Sequence, residues 1–181
     1  MAMLRNDVSI LWRSAMRNTP VHPGRFTHVP LAEPVTVFLI GMRANRWWKV
    51  HKVLWTASKM ASMIRHLVNE PEAGMLSFHQ WFGRTTILVS YWRSPEHLMR
   101  FAADPQAPHV VPWRDFVSVV GHDGDIGIWH ETYRVSPGDA EAVYTSMPIF
   151  GLAGAVGHEQ VGPGSATAQA RLGRRYGKSP G

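Results

Sequence analysis

The chain has 181 residues, 45% of them hydrophobic, with eight tryptophans and seven phenylalanines, which suffices for the core of one domain. It has no cysteine, so disulfides, thiolate metal sites, iron–sulfur clusters and a thiol nucleophile are excluded. The net charge of +6 suggests nucleic acid or an anionic surface, but Arg171, Arg174, Arg175 and Lys178 against Glu159 place +3 of it after Gly151, which reads as a solvated end.

Near the start, Val8, Ile10, Leu11 and Trp12 form an apolar patch that Arg13 and Arg17 interrupt before it reaches the length of a secretory core or a bilayer span. A short amphipathic helix is expected to about Thr19, in a cytoplasmic protein with neither a nucleic-acid nor a membrane partner. Pro20 to Pro34 reads as an extended lead-in.

Val35 to Met42 (VTVFLIGM) is a β-branched, aromatic apolar run of strand length. Residues 50 to 68 set Val50, Val53, Leu54, Ala57, Ala61, Ile64, Leu67 and Val68 at helical spacing, the stripe of a helix packed on a sheet. Glu70-Pro71 and Gly74 end that pattern. Met75 to Phe82 and Thr85 to Trp92 then read as two strands joined at Gly83-Arg84.

Ser94-Pro95-Glu96 is a helix start, because the serine hydroxyl can accept a free amide and proline suits a position where no donor is needed. A segment around Trp113, Phe116, Val117 and Val120 continues the helical layer, and Ile126 to Val135 is the next strand. The order βαββαβ with antiparallel pairing is the α+β, ferredoxin-like or split βαβ arrangement, with both helices on one face of the sheet.

Both alternating sets of the strands are apolar, so the second face needs a cover, and a homodimer is expected. Glu141 to Met147 looks like a further short strand. From Gly151 the text is rich in breakers and has no sustained period. The expected organisation is an N-terminal extension over 1–22, a ferredoxin-like dimeric-barrel domain over 23–152 and a flexible tail over 153–181.

The motifs FLIGMRANRWWKVHK (38 to 52), YWRSPEHLMRFA (91 to 102), HVVPWRDF (109 to 116) and GIWHETY (127 to 133) resemble the monooxygenase-like family related to the fumagillin-pathway oxygenase. That family lies within the antibiotic-biosynthesis-monooxygenase type of dimeric α/β barrel, and the resemblance runs from about Pro23 to Leu152. It implies an oxygenase that oxidises a hydrophobic, polycyclic or isoprenoid-like metabolite in an apolar pocket, cofactor-free or haem-assisted. Related barrels that hold haem b use an axial histidine, but no residue here matches their ligand motif.

Candidate chemistry falls on three histidines. Strand alternation puts His130 on one face with Ile126 and Ile128, where a neutral imidazole suits a general base or, if haem is bound, an iron ligand; a hydrogen-bonded core histidine fits the same pattern. His97 and His109 each stand four residues before an aromatic ring, Phe101 and Trp113, as pocket-edge or as structural side chains.

Trp92, Trp113, Arg43, His79 and Tyr133 are the candidate substrate-binding residues. Trp92 would stack on a flat substrate or fill the core. Arg43, with Arg46, would anchor a carboxylate or phenolate or else pair with Glu131 or Asp125. His79 shares a strand face with Ser77 and Trp81, a mixed set unlike a plain core. No dinucleotide, Walker, zinc-protease or serine-hydrolase motif is present. An aldoxime dehydratase-like haem enzyme and a non-catalytic small-molecule binder are the alternatives, and no other metal site is expected.

Overall fold

A computed structural model describes residues 20–104, 124–174 and 177. The apolar run after Pro34 forms strand β2 (Val35–Ala44), following an earlier strand β1 (His22–His28). Helix α1 (Val50–Asn69) leads through a short turn at Pro71–Ala73 to β3 (Met75–Trp81) and β4 (Ile87–Trp92). Helix α2 (Pro95–Ala103) and β5 (Ile126–Val135) complete the core. The order across the sheet is β3-β4-β2-β5, with every neighbouring pair antiparallel. The two central strands are therefore first and third in the βαββαβ unit, as in the ferredoxin-like fold.

Both helices lie on one face. Leu67 of α1 and Leu98 and Phe101 of α2 bury against Trp92, with Phe38, Met63 and Met75 around them. Trp92 is 1% exposed, and its indole Nε1 donates to the Ser90 hydroxyl at 2.9 Å, so its polar atom is satisfied inside the core. Helix α2 starts where expected: Ser94 accepts the His97 N–H, and Pro95 takes the first turn.

The phase of α1 differs from the expectation. Val50, Leu54 and Val68, placed by their spacing on the packed stripe, are exposed, and Thr56 takes a buried position. The apolar arc of the helix is wider than its contact with the sheet, and Thr56 can be buried because its hydroxyl donates to the Lys52 carbonyl at 2.9 Å.

Buried Asp125 fixes the entry to α1. Its carboxylate accepts from Arg46 at 2.8 Å and from Lys52 at 2.7 Å, and its carbonyl accepts the N–H groups of Asn45 and Arg46. Two cations offset the cost of desolvating one carboxylate.

The largest departure concerns the two ends of the chain. The lead-in contains β1, the middle strand of a second sheet ordered β6-β1-β7, where β6 is Tyr144–Met147 and β7 is His158–Gln160. Between β6 and β7 lies helix α3 (Gly151–Val156), whose Leu152 packs with Leu31 and Val35 against Leu76, Tyr91 and Val135. The expected flexible tail over 153–181 is thus folded through Arg174. Arg171, at the end of the short helix α4 (Ala168–Arg171), donates to Glu141 at 2.6 Å and to the carbonyls of Ser165 and Ala166. Arg174 pairs with Glu159 and donates to the His28 carbonyl at 2.8 Å. Buried side-chain–backbone contacts replace the periodic apolar pattern that sequence reading looks for.

The expected continuation of the helical layer around Trp113 and Phe116 lies outside the described residues, as does the amphipathic helix before Thr19. No helix among the described residues is long and apolar enough to cross a membrane.

Candidate functional site on the open face of the sheet

Alternation sends Val35, Val37, Leu39, Gly41 and Arg43 of β2 to the face opposite the helices. The pairing of strands then sets whole rows side by side on that face. One row reads His79, Val89, Leu39, Glu131, and the next reads Ser77, Tyr91, Val37, Tyr133. On the other side of the first row Trp81 pairs with Ile87, and Gly41 with Trp129. The centre is an apolar floor, with polar groups at both edges.

At the β3 edge, α3 and the residue before it close over the sheet. The His79 ring lies 4.0 Å from that of Phe150, and its Nε2 accepts the Gly151 N–H at 2.9 Å. Burial lowers the His79 pKa, so the ring is neutral, and with Nε2 accepting, its proton is on Nδ1. Gly151 has φ +57, and a Cβ there would meet the Tyr144 hydroxyl at 2.9 Å and the Tyr91 hydroxyl at 3.4 Å. Only glycine combines that backbone with that approach.

Burial raises the pKa of Tyr91, and the neighbouring Tyr144 adds to the shift; Tyr144 is raised by its own burial. Three neutral groups, His79 Nδ1–H and two phenolic hydroxyls, therefore gather at one side of an apolar surface. A shallow cavity of about 490 Å³ adjoins them between Leu31, Val35, Leu76, Arg93 and Val156. It lacks the imidazole and the phenols, which stand on the open sheet beside it.

At the β5 edge, Glu131 is the one carboxylate that the four strands present to this face, and the Tyr133 hydroxyl donates to it at 2.6 Å. That bond raises the Tyr133 pKa. Three interstrand spacings separate His79 from Glu131, about 14 Å at the backbone. A donor side and an acceptor side thus face each other across Val89 and Leu39.

Of the residues singled out by sequence, His79 and Tyr133 lie on this face. Trp92 does not: it fills the core on the helix side. His130 stands on the helix side as well, exposed at the edge strand with Phe38 at 5.9 Å between ring centroids, and not in apolar surroundings as alternation suggested. His97 sits at the start of α2, its Nδ1 at 2.9 Å from the Ser94 hydroxyl and its ring against Gly74, which is a structural position. Arg43 donates to the Thr85 hydroxyl at 2.7 Å, and the ion pair to Asp125 is made by Arg46. His109 and Trp113 lie outside the described residues.

Tyr91, Tyr144 and Gly151 were not singled out from sequence. Tyr91 shares a strand face with Val89, which was visible in the alternation, whereas Tyr144 and Gly151 arrive from a segment read as a weak strand and a tail.

A haem-bound form, one of the two expected from the resemblance, would need an imidazole to hold the iron. An axial imidazole needs a free nitrogen facing an apolar wall. The Nε2 of His79 is engaged by Gly151 and His130 is exposed on the other side of the sheet, whereas His97, its Nδ1 held by Ser94, keeps Nε2 for a ligand but stands at the start of α2 with its ring against Gly74, away from the apolar floor. No group of three or more histidines and carboxylates among the described residues is placed to hold a metal ion.

A four-stranded antiparallel sheet in this order, helices on one face and a half-covered apolar face on the other, defines the ferredoxin-like fold of the antibiotic-biosynthesis-monooxygenase type. The family described as Monooxygenase af470-like matches residues 35–152, well over half of the chain, and the chain belongs to that family. None of the curated proteins matches it.

Proposed function

We propose that this monooxygenase-like protein inserts oxygen into a hydrophobic, flat small molecule held on the open face, without a metal cofactor, and that a second copy of the chain covers that face. The observation that carries this reading is the half-buried, neutral His79 pinned between Phe150 and the Gly151 N–H at the edge of an apolar floor. A substrate with an acidic C–H or O–H would lie across Val37, Leu39, Ile87 and Val89. Glu131, oriented by Tyr133, would take its proton; the resulting anion would give one electron to dioxygen and combine with the superoxide to a hydroperoxide, and loss of water from that would leave one oxygen atom in the product as a carbonyl, the substrate itself supplying all the electrons. His79 Nδ1–H and the Tyr91 and Tyr144 hydroxyls, all kept protonated by burial, would donate hydrogen bonds to the oxygen on which charge develops. The apolar floor excludes water from the reduced oxygen species.

The test uses a panel of polycyclic phenols and hydroquinones, with uptake of labelled dioxygen read by mass spectrometry. One labelled oxygen atom should appear in a product, and His79→Phe should lower the rate by about a hundredfold, the size of effect of losing one such donor. A Soret band at stoichiometric hemin, accompanied by turnover only when haem is bound, would overturn the metal-free reading. Binding of the panel without oxygen uptake would make the protein a small-molecule binder.

A further inference from the structure

At one end of the sheet the loop between β2 and α1 lies beside the hairpin between β3 and β4. Ala44 N–H donates to the Arg84 carbonyl at 2.9 Å, the Arg84 guanidinium donates to the Asn45 carbonyl, and Arg43 reaches Thr85. Together they present an apolar surface. Trp47 is 68% exposed, Trp48 59%, Val50 52% and Leu54 64%, and the two indoles meet edge to face at 6.2 Å. Side chains of this size are normally withdrawn from water unless they contact something else.

The charges around them have one sign. From Val35 to Asn69 the sequence has no Asp or Glu, and it carries Arg43, Arg46, Lys49, Lys52, Lys59 and Arg65. The nearby carboxylate of Asp125 is buried and already held by Arg46 and Lys52. Among the described residues Arg43, Lys49 and Arg84 have no carboxylate partner.

We propose that these two loops dock the protein on an anionic lipid bilayer, with Trp47 and Trp48 at the headgroup level and Arg43, Lys49 and Arg84 facing the lipid phosphates. Indoles favour that interface because one part of the ring is apolar and the N–H is wet. Basic residues beside them gain from the negative surface potential. Among the described residues beside the indoles the exposed charges are all cationic, which complements an anionic surface. Such a surface contact needs no spanning helix.

The patch lies at the end of the sheet where Trp81 and Trp129 border the open face, so a lipophilic substrate dissolved in the bilayer would enter there. That consequence rests on the oxygenase reading; the docking does not.

The full chain should sediment with vesicles of phosphatidylcholine containing about 30 mol% phosphatidylglycerol, and far less with phosphatidylcholine alone or at high salt. Trp47→Ala with Trp48→Ala, at positions too exposed to disturb the core, should weaken binding at least about tenfold with an unchanged circular dichroism spectrum. Lys49→Glu should weaken it at low salt only. The proposal fails if the wild type stays in the supernatant or if the double variant binds as tightly. It fails equally if the wild type prefers a DNA duplex to the anionic vesicles, or if the double variant lowers the oligomeric mass, since the patch would then serve nucleic acid or a second copy. Loss of oxygenase activity in solution assays bears on the previous proposal and leaves this one standing.

Discussion

The imidazole of His79 is held by one backbone N–H and one phenyl ring, and the first contact requires a lone pair on Nε2. Protonation would set two donors against each other and charge a half-buried ring, so the folded pKa is below the ordinary 6.5. Between the two values the unfolded chain binds a proton that the folded chain does not, and stability therefore falls as pH drops below 6.5. The phenols of Tyr91 and Tyr144 act with the opposite sign. Their folded pKa values are above 10.0, so the unfolded chain loses protons first and stability falls as pH rises past that point. Melting curves should be flat between these limits. The fall on the acid side should shrink in His79→Phe relative to the wild type, every other histidine being common to both; identical slopes would remove His79 from the site as described. At this scale sequence placed His79 on the correct strand face, because alternation needs only local information. It missed the partners of His79 because Gly151 is 72 residues away in the chain; it set His130 on the face of Ile128, as the register has it, but missed its exposure, because the neighbours of an edge strand depend on the whole sheet.

The elements were legible where local physics decides them. A short apolar run gave β2, Ser94-Pro95 gave the start of α2, and β5 emerges over the same ten residues that alternation marked. β1 was illegible because HPGRFTH contains proline, glycine and arginine and is a strand only by virtue of pairing with β6 and β7. The segment after Gly151 was illegible because its apolar packing is confined to the six residues of α3, around Leu152 and Ala153, and beyond them arginine bonds to carboxylates and carbonyls hold it down. Arg171 is 4% exposed on its side chain and carries three of these bonds. Arg171→Ala would leave Glu141 and two carbonyls without their donor, at a cost of about 3 kcal/mol. Urea denaturation followed by tryptophan fluorescence should show that loss. A change below about 0.5 kcal/mol would mean that the closing helix contributes nothing to the fold.

For the whole molecule the open face is the outstanding feature. Helices cover one side of the sheet and α3 covers part of the other, which leaves Val37, Leu39, Ile87 and Val89 only half-buried and Trp81 and Tyr133 largely exposed. A monomer would keep that floor in water at about 25 cal/mol for each Å². A second copy placed face to face would bury it isologously and would enclose the donors at His79 and the carboxylate of Glu131 within one cavity. Stable pairs bury about 800 Å² on each partner, an area a four-stranded sheet can supply. Light scattering should therefore give twice the chain mass of 20.3 kDa. Leu39 stands in the middle of the central strand, between Val89 and Glu131, where a charge would meet its own copy across the two-fold axis or the apolar floor of the partner. Leu39→Asp should weaken the dimer by about a hundredfold, the effect expected of a central interface residue, while leaving the helix-side core of Trp92 and Phe101 folded. A dimer that survives this change would have to use another surface, and the site would then be open to solvent, with no means of keeping water from a reduced oxygen species.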